Sequence, residues 1–153
     1  MSNSSVSRSA TLLSKLLIST KDRGFLDHVR WSAFFILRRI VLRFCDPTVE
    51  YAFCGSTLRL PLSHALPFFR RMFPLYSDNL GRIAAQLFIK FGTFRVIDIG
   101  ANVGDTVAVI HQYAPLPILC IEGLPKFSEL LAENVATTHP APVIERSFVG
   151  TGG

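Results

Sequence analysis

Cysteine is scarce in this chain of 153 residues: Cys45, Cys54 and Cys120 are the only three, and no two of them have CxxC spacing. An odd number without paired spacing argues against a disulfide framework and against a zinc site, and it favours a reducing, cytoplasmic setting. The four histidines are scattered without HxxxH spacing, so no metal ion is expected. No stretch of about 18 uncharged apolar residues is present, which argues against a transmembrane helix.

Charged residues are also sparse, at 18% of the chain against 49% hydrophobic residues, which excludes an intrinsically disordered protein. The net charge of +5 is concentrated at one end: residues 1–50 hold eight basic and four acidic residues, and residues 51–153 hold eight and seven.

The first ten residues include five serines, a composition shared by transit peptides and frayed termini, and we favour a frayed terminus.

The N-terminal segment is expected to be helical over Thr11–Thr20 and Phe25–Phe44. At 100° per residue, one face of the second helix collects apolar side chains and the opposite face basic ones: Ala33, Phe34, Ile36, Leu37, Ile40, Val41 and Phe44 against Arg38, Arg39 and Arg43. The basic face is mixed, because Trp31, Phe35 and Leu42 fall among the arginines. Two interpretations stay open, packing on the domain and peripheral contact with an anionic membrane, and packing is preferred. No nucleic-acid-binding motif accompanies the basic residues, so nucleic acid is not an expected partner.

A hairpin and a further helix are expected to follow. Proline ends the second helix at Asp46-Pro47. The alternating segment Val49–Leu62 predicts a β-hairpin that turns at Gly55, where glycine reaches positive φ without a Cβ clash. Asn79–Phe91 has helical periodicity, with Asp78 as the expected N-cap and Gly92 as the expected stop: the apolar stripe is Leu80, Ile83, Ala84, Leu87 and Phe88.

Beyond residue 92 the pattern alternates between strands and helices. Strands are predicted at Phe94–Ile99, Ile118–Ile121 and Pro142–Val149, and helices at Asp105–Tyr113 and Lys126–Ala136. This order predicts an α/β fold with a parallel sheet and right-handed crossovers.

The segment Val96–Asp105, VIDIGANVGD, carries the expected chemistry. Ligands of an open parallel sheet bind at the carboxyl ends of the strands. Gly100 and Gly104 lie in the turn that follows the strand, where the absence of a side chain lets a ligand approach the backbone. Asp98 ends this strand, and Glu122 ends the next, where a carboxylate can accept bonds from both hydroxyls of a ribose. Together they predict a nucleoside-binding half-site.

The glycine spacing indicates which nucleoside binds. In the GxGxxG frame of nicotinamide dinucleotides, Asn102 here replaces the middle glycine and Asp105 the last. An acidic residue at the start of a helix repels a pyrophosphate, which otherwise binds there. A ligand with an ammonium group tolerates the acid, so the pattern favours S-adenosylmethionine over a dinucleotide.

The sequence VIDIGANVGD followed by ILCIEGLPKFSELLAENV resembles the start of the FkbM family of methyltransferases. Upstream, GSTLRLPL and FPLYSDNLGRIAAQL resemble the family's lead-in, so the likeness covers residues 49–150. The resemblance implies a Rossmann-like class I methyltransferase fold and S-adenosylmethionine as cofactor. It also implies direct in-line O-methylation, without metal or covalent intermediate, of a hydroxyl on a small molecule, sugar or lipid.

The resemblance also implies roles for individual residues. A first motif surrounds the amino-acid end of the cofactor: Asp98, Gly100, Asn102 and Gly104. Asp105 and Thr106 open the helix beneath it, Glu122 holds the ribose hydroxyls, and Gly123 and Leu124 lie near the adenine. No catalytic residue and no metal ligand is assigned.

Three segments are predicted: a basic helical segment 1–47, a hairpin and helix lead-in 48–92, and the front half of a methyltransferase domain 93–153. The KxDxEG-like segment implied by the resemblance is absent from the sequence. We therefore expect the parallel sheet to be incomplete and the chain alone to be inactive and poorly stable. A partner chain is one possible means of completing the sheet. The alternative is a non-enzymatic module that binds a membrane or a partner through its basic helix.

Overall fold

The computed structural model describes residues 6–18 and 24–150. These residues form six helices and five strands: α1 Arg8–Ile18, α2 Phe25–Leu42, β1 Thr48–Phe53, β2 Ser56–Pro61, α3 Leu66–Met72, α4 Asp78–Phe91, β3 Val96–Ile99, α5 Asp105–Tyr113, β4 Ile118–Ile121, α6 Pro125–Val135 and β5 Val143–Glu145. The fold is mixed α/β, with a two-stranded hairpin of β1 and β2 and a separate three-stranded sheet.

The contacts within the chain divide it into two compact units. The first unit comprises Met1–Tyr51 and Arg59–Pro74, and the second comprises Ala52–Leu58 and Leu75–Gly153. The first contains α1, α2 and α3, and the second contains α4 and the whole parallel sheet with its helices. The expected division at residues 47 and 92 stays a prediction.

In the first unit, α2 packs through aromatic side chains against α3. Phe34 is 1% exposed, and its ring stacks on Phe68 of α3 with 6.0 Å between ring centres. Trp31 meets Phe68 edge-on at 5.5 Å. The expected apolar face of α2 was therefore wrong: Phe34 faces inward, whereas Ile36 and Ile40 on the same predicted face are 63% and 52% exposed. Both sides of this helix are apolar, so periodicity could not select the buried side.

In the second unit, the parallel sheet has the order β3-β4-β5. Asp98 on β3 lies opposite Cys120 on β4, and Ile121 lies opposite Glu145 on β5. One cluster of buried residues joins the sheet to the helices: Ala84, Ala101, Val107, Ile110, Ala114, Leu116, Ile118, Cys120, Leu131 and Val135. Burial raises the pKa of the Cys120 thiol to about 12, so this cysteine is an inert core residue as expected.

Several predicted boundaries are confirmed, and others differ. The first helix begins at Arg8 and not at Thr11, and its predicted end at Thr20 lies outside the described residues. The first strand of the parallel sheet begins at Val96 and not at Phe94. The helix at Asp105–Tyr113, the strand at Ile118–Ile121 and the Gly92 stop of α4, with φ of +72°, are as expected. Asp78 is the first residue of α4 and not its N-cap, because Ser77 takes that position. The third strand ends at Glu145, short of the predicted end, and its last carbonyl oxygen accepts the N–H of Glu122 at 3.0 Å.

One face of the parallel sheet is exposed among the described residues. The alternate residues Ile97, Ile99 and Val143 are 62%, 62% and 66% exposed, whereas Ile118 and Cys120 on the opposite face are buried. Parallel sheets occur almost only where both faces are covered, so this face is suited to burial against another layer.

Candidate functional site

The candidate site forms where β3 and β4 end side by side. The chain leaves β3 at Gly100, whose N–H donates to the carbonyl oxygen of Ile121 at 2.8 Å. The same oxygen accepts the N–H of Ala101 at 3.1 Å. These two bonds hold the 100–104 loop against the end of β4, so the predicted residues of both strands meet at the carboxyl edge of the sheet.

The two glycines of this loop have different surroundings. Gly100 has φ of +79°, and apart from its two chain neighbours no described residue lies within 4 Å of the place where a Cβ would stand. Gly104 has φ of +85°, and a Cβ there would stand 3.0 Å from Leu131 Cδ1 and 3.2 Å from Val135 Cγ1 on α6. Gly100 therefore provides open space for a ligand, whereas Gly104 lets α5 begin close against α6.

Alanine substitutions should separate these two roles. Gly104→Ala combines the strain of a positive φ, about 1–2 kcal/mol, with crowding of α6, so we expect a loss of about 2–4 kcal/mol of unfolding free energy. Gly100→Ala carries only the strain, about 1–2 kcal/mol, but places a methyl group in the open space. Urea unfolding of both variants checks this. Equal losses would contradict the close approach to α6.

Glu122 joins the two loops of the site. Its side chain is buried, with the residue 7% exposed. Oε2 accepts the N–H of Asn102 at 2.9 Å, and Oε1 accepts the N–H of Leu124 at 2.8 Å. Asn102 has φ of +48°, a conformation that asparagine tolerates better than most residues. A carboxylate oxygen can accept two bonds, so each oxygen keeps one acceptor position for a ribose hydroxyl.

Asp98 is a half-buried acid among other acids. Its Oδ2 atom is buried and has no hydrogen-bond partner among the described residues. The pKa of Asp98 is raised, first by burial and next by the negative charge of Asp105, with a smaller contribution from Glu122. A hydrogen bond from the Thr106 side chain acts in the opposite direction. Charge and geometry together favour a cationic hydrogen-bond donor beside Oδ2.

Asp105 and Thr106 are the first two residues of α5, as predicted. Gly104, in the left-handed conformation, precedes them as the N-cap. A negative charge in the first turn stabilises the helix dipole and opposes binding of a phosphate at the same place. The helix start therefore disfavours a dinucleotide, in keeping with the interpretation of its sequence.

A residue that the sequence did not indicate completes the rim. The ring of Phe148 lies over Gly123, where a Cβ would stand 2.6 Å from ring carbons, so a side chain at position 123 would displace the ring. Phe148 is nevertheless 76% exposed, and Leu124 is 49% exposed. Phe148 lay inside the predicted third strand. In the structure Phe148 lies just beyond the end of that strand, beside the loop that follows Glu122. The sequence would have pointed to Phe148 only if the end of the strand had been predicted correctly.

The comparisons with known proteins are negative. No protein-family model matches the chain, and no curated protein is similar enough to count as a match. Among the described residues, no group of three or more histidine, cysteine or acidic side chains is placed to hold a metal ion. The geometry of the strand ends is therefore what indicates a function.

Proposed function

We propose that this chain provides the cofactor-binding part of an S-adenosylmethionine-dependent methyltransferase of the FkbM type, with a Rossmann-like fold. The observation that carries the proposal is the buried Oδ2 of Asp98, which has no hydrogen-bond partner among the described residues and lies on the strand that leads into the open turn at Gly100. An ammonium group is the donor that suits an ionised acid among acids. The α-amino group of S-adenosylmethionine supplies that donor, and nicotinamide dinucleotides do not.

The other parts of the cofactor fit the remaining groups of the site. The free acceptor positions of Glu122 suit the two ribose hydroxyls, and the exposed Leu124 and Phe148 suit the faces of the adenine. When bound, the cofactor supplies a methyl group on a positively charged sulfur. Asp98 would hold the amino end and Glu122 the ribose, and the open backbone at Gly100 would let the ligand approach closely.

We infer that the acceptor is a hydroxyl group of a small molecule, sugar or lipid. In-line transfer depends mainly on positioning the acceptor oxygen. Asp98, Asp105 and Glu122 bind and orient in this scheme, and none is assigned as a base for the hydroxyl proton. The exposed face of the parallel sheet supports the further proposal that another layer, from a partner chain or from additional sequence, is required before methyl transfer occurs.

Calorimetric titration with S-adenosylhomocysteine tests the proposal directly, with NADH and adenosine as comparison ligands. We expect S-adenosylhomocysteine to bind more tightly than adenosine, because only the former has an ammonium group for Asp98. Preferential binding of NADH would instead indicate an oxidoreductase. A folded chain that binds none of the three would contradict a preformed half-site.

Phe148→Ala should weaken binding of both S-adenosylhomocysteine and adenosine. Stacking of a base on an aromatic side chain contributes about 1–3 kcal/mol, so the expected loss lies between about 5-fold and about 150-fold. Phe91→Ala is the matched control, because Phe91 is 63% exposed on α4 and lies outside the site. Unchanged affinity in Phe148→Ala, with the control also unchanged, would remove Phe148 from the adenine site.

A further inference from the structure

The charges of the chain are segregated between its two units. The first unit, Met1–Tyr51 with Arg59–Pro74, holds eleven basic and four acidic residues. The second holds five basic and seven acidic residues. The unit without the candidate site is thus strongly positive, and the unit with the site is slightly negative. This separation is independent of the cofactor proposal.

Helix α2 in the positive unit has an apolar face that is exposed. Four residues spaced four, seven and four apart lie on one side of the helix: Phe25, Val29, Ile36 and Ile40, which are 82%, 49%, 63% and 52% exposed. The opposite side holds Phe34 and Trp31, which pack on α3. Helix α2 therefore packs against α3 through one apolar side, and its other apolar side stays in contact with water.

Two exposed arginines border this outer face, and a third is held in the fold. Arg39 and Arg43 line one open groove together with Ile36 and Ile40. Arg38 instead donates to the carbonyl oxygens of Leu62 at 2.9 Å and Ser63 at 2.7 Å, and its guanidinium lies 4.5 Å from the centre of the Phe68 ring. Only Arg39 and Arg43 of the three predicted basic residues therefore remain available to a partner.

We propose that the outer face of α2 binds flat on an anionic membrane surface, with Ile36 and Ile40 entering the apolar layer and Arg39 and Arg43 contacting lipid phosphates. A helix of 18 residues is about 27 Å long. Among the described residues, no helix is both long and apolar enough to cross a membrane. An exposed apolar face bordered by arginines, on a unit with excess positive charge, is the arrangement of an interfacial helix.

Charge complementarity favours a lipid surface over a protein groove as the occupant. A membrane presents many anionic headgroups at once, and the excess positive charge of the whole unit contributes beyond the two contacting arginines. The long arginine stems can lie along the apolar layer while the guanidinium groups stay among the headgroups. A protein partner for the same face remains as an outcome of the experiment.

Co-flotation of the full chain with lipid vesicles tests this proposal. Phosphatidylcholine vesicles with and without phosphatidylserine distinguish an anionic surface from general apolar adsorption. We expect binding only when phosphatidylserine is present, and weaker binding at high salt. Replacing Arg39 and Arg43 by glutamine should reduce the partition coefficient about 25-fold, or about fivefold for each arginine. Replacing Ile36 and Ile40 by glutamine should reduce it at least about tenfold.

Matched controls lie in the second unit. Changing the exposed Lys90 and Arg95 to glutamine removes the same charge as the arginine variant. Changing Ile83 and Ile89 of α4 to glutamine removes slightly more exposed apolar area than the Ile36 and Ile40 variant does. Both controls should bind vesicles like the unaltered chain. Equal binding to the two vesicle types, no binding, or insensitivity to the α2 variants would overturn the proposal. Self-association lost on changing Ile36 and Ile40, without vesicle binding, would assign the face to a protein contact.

Discussion

Asp98→Asn is expected to weaken S-adenosylhomocysteine binding by about 10- to 150-fold while raising the thermal unfolding midpoint of the unliganded protein. The binding loss follows from removal of a charge-assisted hydrogen bond, which contributes about 1.5–3 kcal/mol. The stability gain follows because folding raises the pKa of Asp98, so its ionised form is disfavoured in the folded state. The asparagine oxygen can still accept the hydrogen bond of Thr106.

The pH dependence of this effect has a defined sign. A raised folded pKa stabilises the protein at low pH, where the acid is protonated, and that stability is lost as pH rises through the folded pKa. Asp98→Asn should therefore match the unaltered protein in strong acid and exceed it at neutral pH. Binding of the cationic ligand should change in the opposite sense and strengthen as Asp98 ionises.

Thermal unfolding between pH 3 and pH 7, combined with calorimetry at pH 7, checks both halves of this expectation. Asp105→Asn is a useful comparison, because it removes a neighbouring charge but leaves Asp98 in place. If Asp98→Asn lowered the unfolding midpoint and left the affinity unchanged, Asp98 would be a structural residue of the turn and the proposed amino-group site would be wrong.

Glu122→Ala is expected to lower the unfolding free energy by about 2–4 kcal/mol, because it leaves the N–H groups of Asn102 and Leu124 without the carboxylate that accepts them. The substitution also removes the acceptors for a ribose. Loss of nucleoside binding in this variant alone would therefore not distinguish a direct contact from a collapsed loop.

Two further variants make that distinction. Glu122→Gln keeps one acceptor oxygen and the shape of the side chain, so it should lose less stability than Glu122→Ala. Glu129→Ala, an exposed position on α6, should change stability by no more than about 0.5 kcal/mol. Urea unfolding of the three variants provides the comparison. A Glu122→Ala protein as stable as Glu129→Ala would show that the carboxylate does not hold the two loops together.

The sequence predicted the structure best where the hydrophobic pattern of a segment matches the side that the fold buries. The apolar runs of β3 and β4 and the helix at Asp105–Tyr113 were predictable, because short β-branched strands followed by helical periodicity leave few alternatives. The meeting of Asp98 and Glu122 was predictable as well, since parallel strands place their carboxyl ends at one edge of a sheet.

Other features depended on tertiary contacts that a single sequence does not display. The buried side of α2 is set by Phe68 on α3, a distant segment, and not by the periodicity of α2 itself. Phe148 lies beyond the end of β5 at Glu145, and its contact with Gly123, on a loop more than twenty residues earlier in the chain, is not visible in the sequence. The separate role of Gly104 likewise required the positions of Leu131 and Val135.

Because one face of the parallel sheet is exposed, the free energy of unfolding of this protein should depend on the concentration of any partner that covers that face. A layer that covered Ile97, Ile99 and Val143 would bind only the folded sheet, and each tenfold rise in its concentration above the dissociation constant would add about 1.4 kcal/mol to the stability of the folded state. The melting temperature should therefore vary with the abundance of the covering layer. A second segment of sequence held on the same chain would act as a high local concentration of that layer.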